Sequence, residues 1–339
     1  MRRGLPGISL CRGRRMRGTA VGAAVLLTAA ALSSARADDY PSRPITLVVP
    51  FPAGGTNTIM ARIVADKLAD ALGQQVIVDN RGGGAGGTIG TRQVARSEPD
   101  GYTILLAFTS TLSTAPSMYA NLGYDVRKDF APIGLISSSP SVLSVHPSLP
   151  ATSVAGLIAL LKAGPEPFQY GSPGVGSINQ LAAELFAHMA GVKLTQIPYK
   201  GTAPLINDLI GGHVRMAFSP IPVAYGAIAA GKLRALATTG TKRSPLLPEV
   251  PTVAESGLAG YQVELHYGLV APAGTPRPIV ERLNRELNAA LATDEVRKRL
   301  ANEGAEPWLS TPEDYAADID AEETKWSTLA KSIGWKPEQ

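Results

Sequence analysis

Ile45 to Leu72 reads ITLVVPFPAGGTNTIMARIVADKLADAL, and three patterns succeed one another within it. ITLVVPF (Ile45 to Phe51) is an unbroken apolar run, as expected of a parallel strand buried on both faces. The PAGG after it is turn chemistry. In TNTIMARIVADKLADAL the apolar residues Met60, Ile63, Val64, Leu68, Ala71 and Leu72 return at helical spacing and define one buried face. A strand, a glycine loop and an amphipathic helix in that order form the first beat of an α/β fold.

The beat repeats in both directions from there. QQVIVDN is a second strand, RGGGAGGTIG a second glycine loop, TRQVARSE a helix and GYTILLAF a third strand, which makes a parallel sheet with crossover helices. In the middle of the chain FQYGS, KLTQIPY and VRMAFS are predicted strands, each leading into a helix: INQLAAELFAHMAG, APLINDLIGG and VAYGAIAAG. KLRALATTG adds a strand, and PLLPEVPTVAESGLAGYQ, rich in Pro and Gly, reads as a surface excursion. Helical patterns close the chain in PIVERLNRELNAALATDEVRKRLANEG and in PEDYAADIDAEETKWSTLAKSIG, the latter with Thr311 as N-cap and Pro312 at the first helical position. LISSSPSVLSV and VELHYGLVAP are extended enough to cross between lobes. The expected organisation is one lobe at 38–139 and 264–339 and a second at 140–263, with strand-end loops lining the cleft between them.

The chain has 32 Lys plus Arg and 28 Asp plus Glu. Residues 1–37 hold seven of the Arg and no acid, so residues 38–339 carry 25 basic and 28 acidic side chains, a net charge of −3. The first 37 residues read as an export signal: an Arg-rich start, the apolar run TAVGAAVLLTAAAL and the peptidase pattern Ala35-Arg36-Ala37, with cleavage expected after Ala37. Cys11, the only cysteine, lies within them, which excludes disulfide, thiolate-metal and thiol chemistry from the remainder. The four His are scattered without metal-ligand spacing. The absence of a basic cluster argues against nucleic acid.

The loops carry what chemistry there is. Phe51-Pro52-Ala53-Gly54-Gly55-Thr56-Asn57-Thr58 joins a buried strand to a helix. Its glycines permit close backbone approach, and the helix start offers unpaired N–H groups and partial positive charge to an anion; a tight strand-to-helix turn accounts for it equally well. RGGGAGGTIG contains G-x-G-x-x-G at Gly82, Gly84 and Gly87. In a run so rich in glycine the pattern matches by composition, and Asp100 stands before a strand instead of at its end, so no dinucleotide or other cofactor is expected. Tyr170-Gly171-Ser172-Pro173-Gly174-Val175-Gly176-Ser177 again joins strand to helix. Ser172 has Tyr170 where a nucleophile elbow needs Gly, so Ser172 and Ser177 are better read as caps or as donors to an anion. A secreted serine hydrolase using either serine remains the alternative function.

Nine segments, in order, resemble the solute receptors of tripartite tricarboxylate transporters, the Bug family: ITLVVPFPAGGTNTIMAR, VIVDNRGGGAGGTIG, PDGYTILL, YDVRKDFAPIG, GSPGVGSINQLAAELF, IPYKGTAPLINDLIGGHV, GKLRALATT, PEVPTVAESGLAGY and YGLVAPAGTP. The resemblance implies a type II periplasmic binding protein fold, two α/β lobes with parallel-rich sheets and two hinge crossings that close on a small organic carboxylate without catalysis. It implies that backbone amides of the first loop, Phe51 and Ala53 to Thr58, and of the second-lobe loop, Ser172, Gly174, Gly176 and Ser177, hold the ligand. Thr109, Ser110, Tyr199, Ser219 and His266 complete the candidate set. The chain departs from the family pattern at Thr58, where Asp is common, at Gln180, where His is common, and at His266, where Trp is common. The expected partners of a monomeric periplasmic receptor are the ligand and either the transporter's membrane subunits or a sensor kinase.

Overall fold

The computed structural model describes residues 40–83, 87–174 and 176–337. The export signal with its cleavage point, Cys11 and Gly84 lie outside the described residues. The decisive stretch folds as strand β1 (Ile45–Val49), a loop, and helix α1 (Thr56–Leu72), whose buried face carries Met60, Ile63, Val64 and Leu68. Next come β2 (Val76–Asn80), α2 (Thr88–Ala95), β3 (Thr103–Phe108), a π-helical turn at Ser110–Thr114, α3 (Ala115–Met118) and β4 (Phe130–Val145). The middle of the chain gives α4 (Val154–Ala163), β5 (Phe168–Ser172), α5 (Ile178–Ala190), β6 (Leu194–Pro198), α6 (Thr202–Ile210), β7 (Met216–Pro220), α7 (Ile221–Ala229) and β8 (Arg234–Thr238). It ends with β9 (Glu264–Pro272), α8 (Arg277–Leu291), α9 (Asp294–Asn302), β10 (Glu306–Pro307) and α10 (Pro312–Ser332).

Two sheets share one strand. In the first, β2, β1 and β3 run parallel, β9 pairs antiparallel with β3, and Phe130 to Pro140 of β4 pairs antiparallel with β9. In the second, Ser141 to Val145 of β4 pairs with β7, Val142 to Val145 pairs with β8, and β5 runs parallel to β6 and β7. The sixteen-residue β4 is therefore the first crossing, with register shifts between Pro132 and Gly134 and between Leu135 and Ser137 that break its regular pleat. The chain returns where Val263 N–H bonds Thr239 O and β9 begins at Glu264, opposite Pro140.

Apolar residues cover both faces of the second sheet, which is mixed instead of parallel-rich, with β4 antiparallel to β7 and β8 and β5 parallel to β6 and β7. Tyr170, Phe186 and Phe218 belong to a core with Leu157 of α4 and Leu181 of α5, while Val142 and Ala217 pack with Leu205 and Leu209 of α6 and Ile221 of α7. In the first sheet Val48, Leu105 and Val270 pack with Val94 of α2 and with Tyr315 and Ile319 of α10. Helix α10 enters both cores, since Trp326, Leu329 and Ala330 belong to the core of Phe186 and Phe218.

The structure refines two sequence expectations and matches a third. The long pattern after Pro278 is two helices, because Thr293 breaks it and caps α9 by accepting from the Val296 amide. The capping box at Thr311 and Asp314 starts α10 where the sequence places it. The Pro- and Gly-rich excursion is anchored rather than superficial: Val253 and Tyr261 are buried, and Tyr261 Oη donates to Ala182 O at 2.9 Å.

Candidate functional site

At the end of β1 the chain leaves the sheet through Phe51 and reaches α1 at Gly55, its N-cap, which has extended dihedrals (φ −91°, ψ 173°) and no side-chain cap. Ala53, Gly54, Gly55 and Thr56 are exposed, Asn57 is half-buried, and the first turn of α1 contains no acid. The positive end of a seventeen-residue helix is thus exposed, with no side-chain cap and no acid in its first turn. Thr58 faces inward and accepts from Asn80 Nδ2 at 2.8 Å; the same amide donates to Phe51 O at 3.0 Å, which ties the loop's two ends to β2. Asn57 Oδ1 accepts from Tyr267 Oη at 2.9 Å. The Phe51, Phe108 and Tyr267 rings form a tilted row with centroids 5.0 and 5.8 Å apart, an apolar wall beside a polar loop.

The second glycine loop serves this one. A Cβ at Gly82 would lie 2.6 Å from the Pro52 nitrogen, and one at Gly90 would lie 2.8 Å from Arg81 O and 2.9 Å from the Pro50 Cα. Glycine at these two positions lets the second strand-to-helix connection close over the first, so their role is backbone packing.

Thr109 and Ser110 come directly after β3, whose C-terminal end lies beside that of β1 in a parallel pairing. Thr109 is buried, and its Oγ1 accepts from the His266 amide at 2.9 Å. Ser110 is half-buried and opens the π-helical turn. The rim thus brings together Phe51, Ala53 to Thr58, Thr109, Ser110 and the main chain of His266. The His266 ring turns to the other face of β9, where Nδ1 meets Asp318 Oδ1 at 3.0 Å and the Trp308 ring stands edge-on at 5.0 Å. Burial works against charge on this imidazole, but Asp318 and Glu264 outweigh it and raise the pKa to about 9.

The second loop is built from hydroxyls and glycine. Ser177 caps α5 by accepting from Gln180 N at 3.2 Å and donates to Gly174 O at 2.8 Å. Ser172 is fully buried, donates to Gly174 O at 3.1 Å and accepts from Gln196 Nε2 at 2.6 Å. Gln180 returns along the helix so that its Oε1 accepts from the Gly176 amide at 2.7 Å. Gly176 has a φ of +74°, and a Cβ there would lie 2.8 Å from Tyr119 Oη, so the segment after α3 reaches this loop at closest approach. No acid occupies the first turn of α5. Tyr199 joins the loop through its amide to Ser172 O at 2.9 Å; its hydroxyl donates to Asp208 at 2.9 Å, and burial with that carboxylate pushes its pKa up to about 12. Ser219, fully buried at the end of β7, has a side chain without a partner among the described residues.

Among the described residues no group of His, Cys, Asp or Glu is placed to hold a metal ion, and no helix is long and apolar enough to cross a membrane. Among the described residues the Ser172 hydroxyl is bonded to Gly174 and Gln196 and to no imidazole, while Asp208 is engaged by Tyr199 and His266 by Asp318. Sequence reasoning missed Asn80, Gln196, Tyr119 and Tyr267, which hold the loops in place. Asn80 and Gln196 lie on strands next to the loops they brace, a relation visible only once the pairing of β1 with β2 and of β5 with β6 is known.

The model of the tripartite tricarboxylate transporter family receptor, TctC, matches residues 60–335. The chain belongs to that family. BugT of Bordetella pertussis is 38% identical over 312 residues, 92% of this chain and 95% of BugT. Among solved structures, R. palustris Rpa4515 with adipate is 40% identical, with a TM-score of 0.79 over 88% of this chain and all of that one. The periplasmic binding protein BugD is 39% identical, with a TM-score of 0.75 over 88% of this chain and all of that one. MatC from Rhodopseudomonas palustris, solved with bound malate, is 32% identical, with a TM-score of 0.73 over 86% and 99% of the two chains. The two-lobed periplasmic binding fold is therefore that of this receptor family, and the protein is a receptor, not an enzyme.

Proposed function

We propose that the protein is a periplasmic receptor that captures a small organic carboxylate between two lobes, 38–139 with 264–339 and 140–263, and presents it to the membrane subunits of a tripartite tricarboxylate transporter. The observation that carries this reading is a pair of helix starts, uncapped in α1 and capped by Ser177 in α5. Those of α1 and α5 each come after a glycine-bearing loop and have no acid in the first turn, so each lobe offers an anion donors and partial positive charge without a cationic side chain. Two such ends suit a ligand with a carboxylate at each end, and the relatives solved with adipate and malate support that class.

The ligand-contacting set we propose is Phe51, Ala53 to Asn57, Thr109, Ser110, Ser172, Gly174, Gly176, Ser177, Tyr199 and Ser219, while Thr58, turned inward to Asn80, and His266, whose amide is spent on Thr109, brace the rim without touching the ligand. Contacts to both lobes stabilise a closed state about the two crossings. The family assignment favours transporter subunits over a sensor kinase as the partner. The working form is a monomer released by cleavage after Ala37; a mature N-terminus at Asp38 and a monomer mass in sedimentation check these points. Thermal-shift screening with mono-, di- and tricarboxylates tests the ligand class. Stabilisation by adipate or malate supports it, and a panel in which no carboxylate raises the melting temperature defeats it.

A further inference from the structure

His266 sits where three elements meet. Its side chain is almost fully enclosed by β9, α10 and the segment after β10 that carries Trp308. The charged groups facing it are Glu264 on its own strand and Asp318 and Glu322 on α10, Glu322 also holding Lys325 at 2.7 Å. Nδ1 is bound by Asp318, while Nε2 has no hydrogen-bond partner among the described residues and the Glu264 carboxylate stays 3.9 Å away. Asp318 is thus the one carboxylate in hydrogen-bond contact with the ring among the described residues. One residue later the strand turns Tyr267 to the opposite face, toward Asn57 and Phe108.

The main chain of the same residue has different work. Its N–H donates to Thr109 Oγ1 at 2.9 Å. A hydroxyl that accepts this bond keeps its own proton to donate. Thr109 lies at the C-terminal end of β3, on the rim that α1 begins from. An acceptor on that rim would be met by an O–H whose orientation is fixed from behind.

We propose that Asp318 is a positioning residue of the ligand site: it pins the His266 ring to α10, the pinned strand holds Thr109 through the His266 amide, and Thr109 thereby directs its O–H at a ligand carboxylate oxygen. This rests on the reading of the rim as a carboxylate site. It gives His266 a role one bond removed from the ligand, and it makes a helix of the C-terminal segment part of the binding apparatus.

Adipate titrations of the purified protein at neutral pH test it. Asp318→Leu and Thr109→Val should each weaken binding about tenfold, the effect of one charge-assisted or ligand-directed hydrogen bond, and the double variant should be no weaker than either single one, because both break the same chain of contacts. In the ligand-free protein the His266 amide should exchange faster in Asp318→Leu, with the Leu269 and Val270 amides of the same strand unchanged. Losses that multiply in the double variant, or an Asp318→Leu protein that binds adipate as the parent does while Thr109→Val is weakened, overturn the proposal. If the parent binds no adipate, the reading of the rim is what fails, and the His266 amide decides the positioning by itself: unchanged exchange in Asp318→Leu rejects it.

Discussion

The first carbon of a side chain at Gly55 would meet nothing, since a Cβ there has no atom within 4 Å, and the residue already has dihedrals open to any amino acid. Gly54, by contrast, has a φ of +94°, so a substitution there confounds binding with backbone strain. Gly55→Val is therefore the cleaner probe. We expect it to cost no more than about 1 kcal/mol in urea melts, the scale of an N-cap change, and to abolish carboxylate binding by filling the space a ligand needs. Retained affinity would remove the first loop from the site. A second residue carries a pH signature. The folded pKa of His266 is raised to about 9, so its stabilising contribution is complete below about 6.5, the ordinary imidazole value, and is lost as pH rises through 9. Thermal melts should accordingly show the parent's advantage over His266→Gln shrinking between pH 7 and 10; an advantage constant across that range would mean the imidazole is not charged in the fold. The glycines and hydroxyls of the site were legible in sequence because strand-to-helix loops are marked by composition. The orientation of His266 was not, because alternation along β9 decides it, and a strand covered on both faces has no polar-apolar rhythm to read.

Among the elements, α10 carries more than its place at the end of the chain suggests. Its Tyr315 and Ile319 belong to the core of the first sheet, and its fully buried Trp326 belongs to that of the second. Trp326→Ala removes one of the largest enclosed side chains and takes from Glu322 Oε2 the bond donated by Trp326 Nε1 at 2.8 Å, leaving the carboxylate held by Lys325 alone among the described residues. We expect a loss of about 3–5 kcal/mol in urea unfolding; a loss below about 1 kcal/mol would show that the two cores do not depend on the helix. The strands and most helices were readable from periodicity, as the close match of FQYGS with β5 shows. What periodicity could not reveal is which helix serves which core. The charged face of α10 gives no sign that its apolar stripe changes partner half-way along. The break at Thr293 was equally hidden, because the apolar spacing continues through it while the cap interrupts the backbone.

At the scale of the whole molecule, charge and topology set the remaining expectations. With a net charge of −3 after Ala37, the protein does not draw an anion by its overall field. If attraction comes from helix ends and backbone amides, replacing any single Lys or Arg by Gln should change carboxylate affinity by no more than about threefold, the range of an exposed charge. One Lys or Arg whose loss abolishes binding would locate a cationic anchor and refute the amide account. Strand order has a separate consequence for how the chain is made. β9 lies between β3 and β4, so these two strands keep open edges until residues 264–272 have been synthesised, long after both have emerged. No N-terminal fragment that ends before β9 can complete the first sheet, because the strand that joins β3 to β4 is still missing. For a chain that reads as bound for export, a fold that cannot finish early is an asset: the polypeptide remains threadable until its last quarter arrives.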